Sequence, residues 1–516
     1  MDDVVPRAST GEPTEISEAT VRRNALRSSP FIAFAFITNA VANLALIGWL
    51  QRLGGFALVG TWSLLNALVV FMLVADGGLS LALTREVSIR GVTRSWPTHR
   101  WLLTRSTLAL LAMLPLGLTI AWLTELPAKV VGGWACALLA GALQVMSGWA
   151  VTVRLGQHEQ YWRNVATILR VLTQSTLVVV LLSVTVWDNK FSMGAALLAG
   201  ALAEVSLIVG LLVAVDGAKI RAARHIPSPS FREVVALTKG FGATKFLQAL
   251  LEPLTRGLVG VVAGTPALGA FTVSWRPASL LRSIVSEVLR VLLPGISRLH
   301  HDGNREATLA IVRDSVLVQA LITVPACLFA AINAQAALEL WLGTVPLAAV
   351  HACQIFLAAL ALSSWSVPYF WALQAVGDAS FTAVATLARL LLTLVPGAAA
   401  LWWFEGDIRA FAICASVGIL VAAVSYLLRA DRRWALLSPI LHDIRWVRTA
   451  TVTGLSVLLA LATANVPTAW IPSTASLLLG GTVYAVLLVA LPLLLMQGGH
   501  FTRSSEGRNR NEHIEE

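Results

Sequence analysis

The sequence predicts an all-α polytopic membrane protein. About fourteen transmembrane helices form two pseudo-symmetric six-helix lobes, followed by two further C-terminal helices. Three observations carry this reading. Of 516 residues, 57% are hydrophobic and 13% are charged, and the mean hydropathy is +0.74. Apolar runs long enough to cross a bilayer recur along the chain, each needing about 20 residues. Basic residues collect in every second loop, as they do on the cytoplasmic side of a membrane. The charge is too low for a soluble domain of this length, and disorder requires far lower hydrophobicity.

Taken in order, spans fall at 31–50, 56–75, 102–123, 130–152, 164–187 and 192–215. A basic linker then runs from 217 to 237 and contains Pro227-Ser228-Pro229. Further spans fall at 238–262, 266–293, 308–332, 348–370, 380–403, 408–428, 448–470 and 474–496. The span at 266–293 holds Pro277 and several charges, which predicts a tilted or broken helix. The resulting division is a cytoplasmic tail (1–30), an N-terminal lobe (31–216), the linker (217–237), a C-terminal lobe (238–428), a cytoplasmic loop (429–447), two additional helices (448–496) and a cytoplasmic tail (497–516).

Orientation follows from loop charge. One set of alternate loops holds Arg7, Arg22, Arg23 and Arg27; Arg85, Arg90, Arg94 and Arg100; Arg154 and Arg163; Lys219, Arg221, Arg224 and Arg232; Arg298 and Arg305; and Arg429, Arg432, Arg433 and Arg445. The short loop at 371–379 has no base. The opposite set holds Arg52, Lys129, Lys190 and Arg409. Both termini are therefore expected in the cytoplasm, and the number of spans is expected to be even. The net charge of +10 reflects this bias rather than nucleic-acid binding. The polar first 30 residues do not read as a cleavable signal peptide.

Motifs for common chemistries are missing. The sequence has no GxxxxGK[ST] and no HExxH, so neither a P-loop nor a zinc-protease helix is expected. Cys136, Cys327, Cys353 and Cys414 lie in apolar runs without metal or disulfide spacing, so no metal site is expected. The outward loops are short; the longest, at 333–347, holds a single acid, Glu339. That counts against a glycosyltransferase or polymerase, and the expectation is a protein without catalytic residues.

Charges at bilayer depth mark a pathway or a buried pair. Lys245, Gln248, Glu252 and Arg256 share one helical stripe, in which 245, 252 and 256 fall within about 40°. A Glu252–Arg256 pair serving helix packing is the plainer reading of two of them. Arg276, Ser283, Glu287 and Arg290 share a second face, and Arg282 points elsewhere. Arg290 is close enough to the cytoplasmic end to snorkel. Arg170 lies deeper than the boundary residue Arg163; cavity lining and snorkelling are both open to it. Arg389 lies well inside its span, and Glu204 is alone near mid-membrane, either paired or protonatable. Deep bases outnumber deep acids, which favours an anionic substrate, and arginine suits phosphate through its planar fork of donors. Trp275, Trp365 and Trp371 are placed for packing or for stacking on sugar rings. Gly132, Gly133, Ala137, Ala140 and Gly141 predict close helix packing.

The stretch Ala75-Asp76-Gly77-Gly78-Leu79-Ser80-Leu81-Ala82-Leu83-Thr84-Arg85 resembles the second-helix segment of bacterial polysaccharide flippases. Leu268-Gly269-Ala270-Phe271-Thr272-Val273 with Val291-Leu292-Leu293-Pro294-Gly295-Ile296-Ser297 resembles their eighth helix, and Leu338-Glu339-Leu340-Trp341-Leu342-Gly343 the outer loop before their tenth. The resemblance covers about 31–430. It is to the polysaccharide branch of the multidrug/oligosaccharidyl-lipid/polysaccharide exporter superfamily. It makes Asp76, Gly78 and Arg85 motif residues. It implies a two-lobe bundle in a bacterial plasma membrane that moves an undecaprenyl-diphosphate-linked oligosaccharide from the inner to the outer leaflet by alternating access. It further implies a lipid-linked glycan and the bilayer as partners, polysaccharide polymerases or glycosyltransferases as neighbours, and no nucleic acid.

On this reading Arg170, Lys245, Arg256, Arg276 and Arg389 hold the anionic head group. Glu204, Glu252 and Glu287 are coupling or ion-pair candidates. No cofactor is expected, and a proton or sodium gradient is the candidate drive. The rivals are a multidrug cation antiporter of the same superfamily, a membrane glycosyltransferase or polymerase, and a scaffold that transports nothing.

Overall fold

The structure, a computed structural model, describes residues 18–80, 91–105, 128–157, 159–184, 188–225, 242–290, 305–376 and 378–434, with a few isolated positions between them. Among these residues the regular structure is helical, and the all-α membrane class stands. Span 3 beyond 105 and the spans at 448–470 and 474–496 lie outside the described residues. So do the linker from 226 onward and Arg85.

Among the described residues seven helices are long and apolar enough to cross a membrane, and an eighth counts if a bent pair is one span. Large apolar side chains point outward along them, as lipid-facing residues do; Val213, Val395 and Leu428 are examples. The chain divides into two compact units, Met1–Ala45 with Gly78–Thr238, and Leu46–Gly77 with Lys239–Glu516. This differs from a boundary at the linker, because 46–77 groups with the C-terminal residues.

The first helical run, α1, covers Glu18–Leu73. At about 1.5 Å per residue its 56 residues are too long for one crossing. It breaks at Gly54 and Gly55, where Gly55 has φ 66°, a left-handed conformation that favours glycine. That is the position of the first outward turn expected from the sequence.

In the first unit, α2 (Ala128–Gly156), α3 (Gln160–Val184) and α4 (Asn189–Ala222) are antiparallel neighbours in sequence, and α4 packs on both others. The small residues of α2 permit this. A Cβ on Gly133 would lie 2.4 Å from the Lys190 carbonyl oxygen, and one on Gly194 would lie 2.3 Å from that of Gly133. Ala137 and Ala140 are fully buried beside them. At the other end of the unit, Val87, Val92, Val151, Val153, Ile208 and Leu212 form a core.

Within that end sits a buried ionic network. Arg154 Nη2 lies 3.1 Å from Asp216, which is inaccessible to solvent, and Arg154 Nη1 donates to Glu159 at 2.8 Å. Lys219 reaches the other Asp216 oxygen at 3.4 Å. These residues stand where the charge rule puts the cytoplasmic boundary, so α4 extends past the expected span end at 215 into the basic segment.

In the second unit the helices are α5 (Gly242–Val262), α6 (Gly264–Arg290), α7 (Arg305–Ile332), α8 (Ala334–Leu342), α9 (Leu347–Ser363), α10 (Ser366–Ala375), α11 (Ala379–Trp403) and α12 (Ile408–Trp434). The later part of α1 crosses α6 closely. A Cβ on Gly60 would lie 1.8 Å from the Thr265 oxygen, and one on Gly269 would lie 2.0 Å from that of Phe56. One turn further, the Ser63 and Thr272 hydroxyls share a hydrogen bond of 2.7 Å.

Three expectations are corrected here. The helix through Pro277 is continuous: the ring costs one backbone bond, and burial on both sides of it holds the helix together. The span at 348–370 is instead broken into α9 and α10, bent by 54°. Pro368 cannot donate to the Ser364 carbonyl, and Ser364 and Ser366 hydroxyls bond back to Ala361 and Ser363 oxygens at the break. The segment at 333–347, expected as an outward loop, is not all loop. It contains α8, which ends at Gly343 with φ 83°.

Candidate functional site

The helices α5 and α6 are long enough to cross a membrane, yet too polar to be among the seven. Their polar faces line a cavity of about 450 Å³ inside the second unit, together with α9, α10, α11 and α12. From α5 come Lys245, Gln248, Glu252 and Arg256, the stripe expected from helical spacing. Glu252 accepts from Arg256 across one turn, so the i,i+4 pair forms. Lys245 Nζ sits 5.8 Å from the ring centre of Trp371 on α10, within cation–π range.

The face of α6 that lines the cavity is Phe271, Trp275, Ser279, Arg282, Ser283 and Ser286. This corrects the expectation that Arg282 points elsewhere. Arg276 is not on that wall; it is nevertheless close enough to Glu252 and Arg256 to feel their charges. Its Nε is buried without a hydrogen-bond acceptor among the described residues. Glu287 and Arg290 lie on α6, and their side chains are outside the described residues.

On α11, Thr386, Arg389 and Thr393 recur at three- and four-residue spacing and face the cavity. Tyr426 of α12 completes that wall, its hydroxyl 3.3 Å from that of Thr386. Trp275 meets Phe356 edge-on at 4.9 Å between centroids, and both line the cavity. Trp365 instead packs beside the buried cluster around Tyr369, Phe370 and Trp371.

Arg170 does not join this cavity. It lies in the first unit, where its Nε is 2.9 Å from Glu204, and Ser147 donates to the other Glu204 oxygen at 3.1 Å. The pair reading of Glu204 holds. The turn motif Asp76-Gly77-Gly78 follows a 3₁₀ turn at Val74–Asp76. Gly77 has φ 49° and Gly78 φ 84°, so the two glycines supply a left-handed reversal that other residues resist. Among the described residues no group of three or more His, Cys, Asp or Glu could hold a metal ion. The four cysteines are free thiols.

The family described as polysaccharide biosynthesis protein matches residues 56–351, more than half of the chain. The chain belongs to the polysaccharide biosynthesis protein family.

The match begins at the start of the second span and ends in α9, so it includes α5, α6 and the glycine turn. No curated protein sequence matches the chain. Solved structures do resemble it. One is a multidrug resistance MATE family transporter of the MOP superfamily in an inward-facing conformation. Its TM-score is 0.62 at 17% identity, covering 78% of this chain and 96% of that one. Another is a MATE transporter in complex with MaD5, with a TM-score of 0.58 at 16% identity over 81% and 97%. A third is a MOP superfamily transporter from Pyrococcus furiosus, with a TM-score of 0.58 at 16% identity over 81% and 97%. It is described as having a binding pocket of reverse polarity that suggests a different function. At these identities the likeness establishes the fold. This member of the polysaccharide biosynthesis protein family is a helical protein with helices apolar enough to cross a membrane and with the fold seen in MATE transporters.

Proposed function

We propose that this protein moves an undecaprenyl-diphosphate-linked oligosaccharide from the cytoplasmic to the outer leaflet of a bacterial inner membrane. The observation that carries the reading is the cavity in the second unit. Lys245, Arg256, Arg282 and Arg389 line it, and Glu252 is the acid among its described lining residues. Fixed positive charge inside an apolar bundle attracts an anionic head group, and guanidinium forks match phosphate oxygens. Trp275 and Trp371 offer flat apolar faces to sugar rings. Arg276 adds charge behind the wall.

Alternating access would carry the polar head past hydrocarbon while the lipid tail stays in the bilayer. The loop charges put both termini in the cytoplasm. The acids for a proton or sodium gradient to act on are Glu204 and Glu252, each already held by an arginine. The partner enzymes on this reading build or polymerise the glycan, and the protein itself makes no covalent bond. A MATE-type drug antiporter is the second reading, favoured by the fold; its cationic substrates would meet like charge in this cavity.

The test is depletion of the protein in its own cell. A complete lipid-linked oligosaccharide should accumulate, shielded from a glycosidase added outside the membrane. Accumulation of an incomplete glycan would point to an enzyme. Unchanged lipid-linked sugars with altered drug sensitivity would favour the antiporter.

A further inference from the structure

We propose that Trp402, Trp403 and Phe404 form an aromatic seat that inserts into the head-group layer of the bilayer's outer leaflet. The three follow one another at the end of α11, where the chain turns into α12. Trp402 is 81% exposed, Trp403 80% and Phe404 60%. Large aromatics are seldom left so bare in a folded chain. Successive residues of a helix point about 100° apart, so three in a row cannot share one face. Exposure of all three means that the end of α11 stands clear of its neighbours.

The rest of α11 says what surrounds that end. Val384, Leu387, Leu391 and Val395 are exposed apolar residues on one face, and Trp402 continues that face within a spread of about 80°. Thr382, Thr386, Thr393 and Leu401 are buried on the opposite face. From Val384 to Trp402 the exposed stripe rises about 27 Å, against about 30 Å of hydrocarbon in a bilayer. The aromatic end therefore meets the level at which acyl chains give way to head groups. Charge marks the limit on both sides. Beyond the aromatics, Asp407 takes Arg409 at 2.7 Å; before Val384, Asp378 takes Arg429 at 2.8 Å. An indole suits the level between water and hydrocarbon, with an apolar ring and an N–H donor.

The seat is held in shape. Phe404 N–H donates to the Ala400 carbonyl at 2.9 Å and Gly406 N–H to that of Leu401 at 2.8 Å, so the helix end is closed. Gly406 has φ 85°, and a Cβ there would lie 3.2 Å from Ala263. The turn thus leans on the junction of α5 and α6, where the strongly exposed Val261 extends the apolar surface. With Trp402 at the interface, Arg389 lies about 20 Å below it, on the cytoplasmic side of the midplane. The seat does not depend on what is transported; the choice of leaflet rests on the loop charges.

The experiment uses the full chain in phospholipid vesicles, with lipids brominated near the carbonyl end or near the methyl end of the acyl chain, or with iodide in the water. Tryptophan emission of the wild type is compared with that of a double variant carrying Trp402→Phe and Trp403→Phe; the difference isolates two of the 18 indoles. Both rings are exposed, so the double variant should keep its thermal midpoint. The difference emission should be quenched at least about twofold more by carbonyl-end than by methyl-end bromine, and hardly at all by iodide. Quenching by iodide instead would leave the rings in water. A preference for methyl-end bromine would bury them in hydrocarbon, and quenching by no agent would put protein over them, a second copy included. Each of these results overturns the proposal, as does failure of the variant to fold. Sidedness is read with Arg409→Cys in intact spheroplasts and a membrane-impermeant maleimide, the wild type with its four free thiols serving as background. Labelling without lysis is expected; labelling only after lysis would place the turn at the inner face and overturn the proposal.

Discussion

Arg170 Nε and a Glu204 oxygen face each other at 2.9 Å between α3 and α4, and Ser147 of α2 holds the second oxygen. Three helices of the first unit thus converge on one carboxylate. Breaking a largely buried pair leaves an uncompensated charge, at about 3 kcal/mol or somewhat less for a pair that keeps partial exposure. Glu204→Ala should therefore lower the unfolding midpoint more than the double variant with Arg170→Ala does. A double-mutant cycle in detergent checks this. If Glu204 also couples a proton gradient, Glu204→Gln should remove the dependence of transport on that gradient.

The crossing of α1 and α6 has no room for a methyl group. Gly60→Ala or Gly269→Ala would drive a Cβ into a backbone oxygen, at 1.8 and 2.0 Å. The helices must separate, which forfeits the Ser63–Thr272 hydrogen bond and the packing around it. Each variant should lose about 2 kcal/mol or more, in line with overpacking. Gly257→Ala, with open space around its Cβ, should be neutral. Unfolding midpoints of the three variants make the comparison.

The Arg154–Asp216 pair should dominate the stability of the first unit. Asp216 is inaccessible and serves both Arg154 and Lys219. Asp216→Ala leaves the buried Arg154 guanidinium with Glu159 as its remaining acid and should cost about 3 kcal/mol. Lys219→Ala, removing an exposed partner, should cost less than about 1 kcal/mol.

His99 gives a pH signature. It lies before the third span, fully buried between the Ser95 carbonyl and the Thr152 hydroxyl, which is 2.8 Å from Nε2. Burial lowers its pKa to about 4. The unfolded chain, titrating near 6.5, binds the proton first as pH falls. Its contribution to stability is therefore complete above about pH 6.5 and is lost as pH drops toward 4. A difference of two to three pH units corresponds to roughly 3 kcal/mol. His99→Gln should flatten the midpoint-versus-pH curve between those values. An unchanged curve would remove His99 as its cause.

Much of the fold was legible because membrane helices advertise themselves. Apolar length marked the spans that fall among the described residues. The small-residue run on α2 signalled a close helix contact, since such residues let backbones touch, and the structure shows the partner to be α4. Some features escaped. The break between α9 and α10 hides in an apolar run, signalled by Ser363-Ser364 and Pro368 alone. Arg282 escaped for a geometric reason. It lies about 120° from Arg276 around the helix, and the cavity wall takes Arg282 and not Arg276. Charge alone does not say which face turns inward. Trp275, Ser279 and Ser286 share the face of Arg282, and that polar–aromatic repeat was the available signal. Arg170 was legible as a deep base in the N-terminal lobe, whereas its pairing with Glu204 is a contact between helices that helical spacing cannot reveal.

The central claim is transport of a lipid-linked glycan, and reconstitution tests it most directly. The purified protein would be placed in liposomes whose two leaflets contain undecaprenyl-diphosphate-linked oligosaccharide, with an impermeant glycosidase outside. With protein, more than the initially exposed half should become cleavable over time, and Lys245→Ala or Arg276→Ala should slow this at least several-fold. Cleavage that stops at the exposed half in protein-containing and protein-free liposomes alike, under an imposed proton or sodium gradient, would contradict the account.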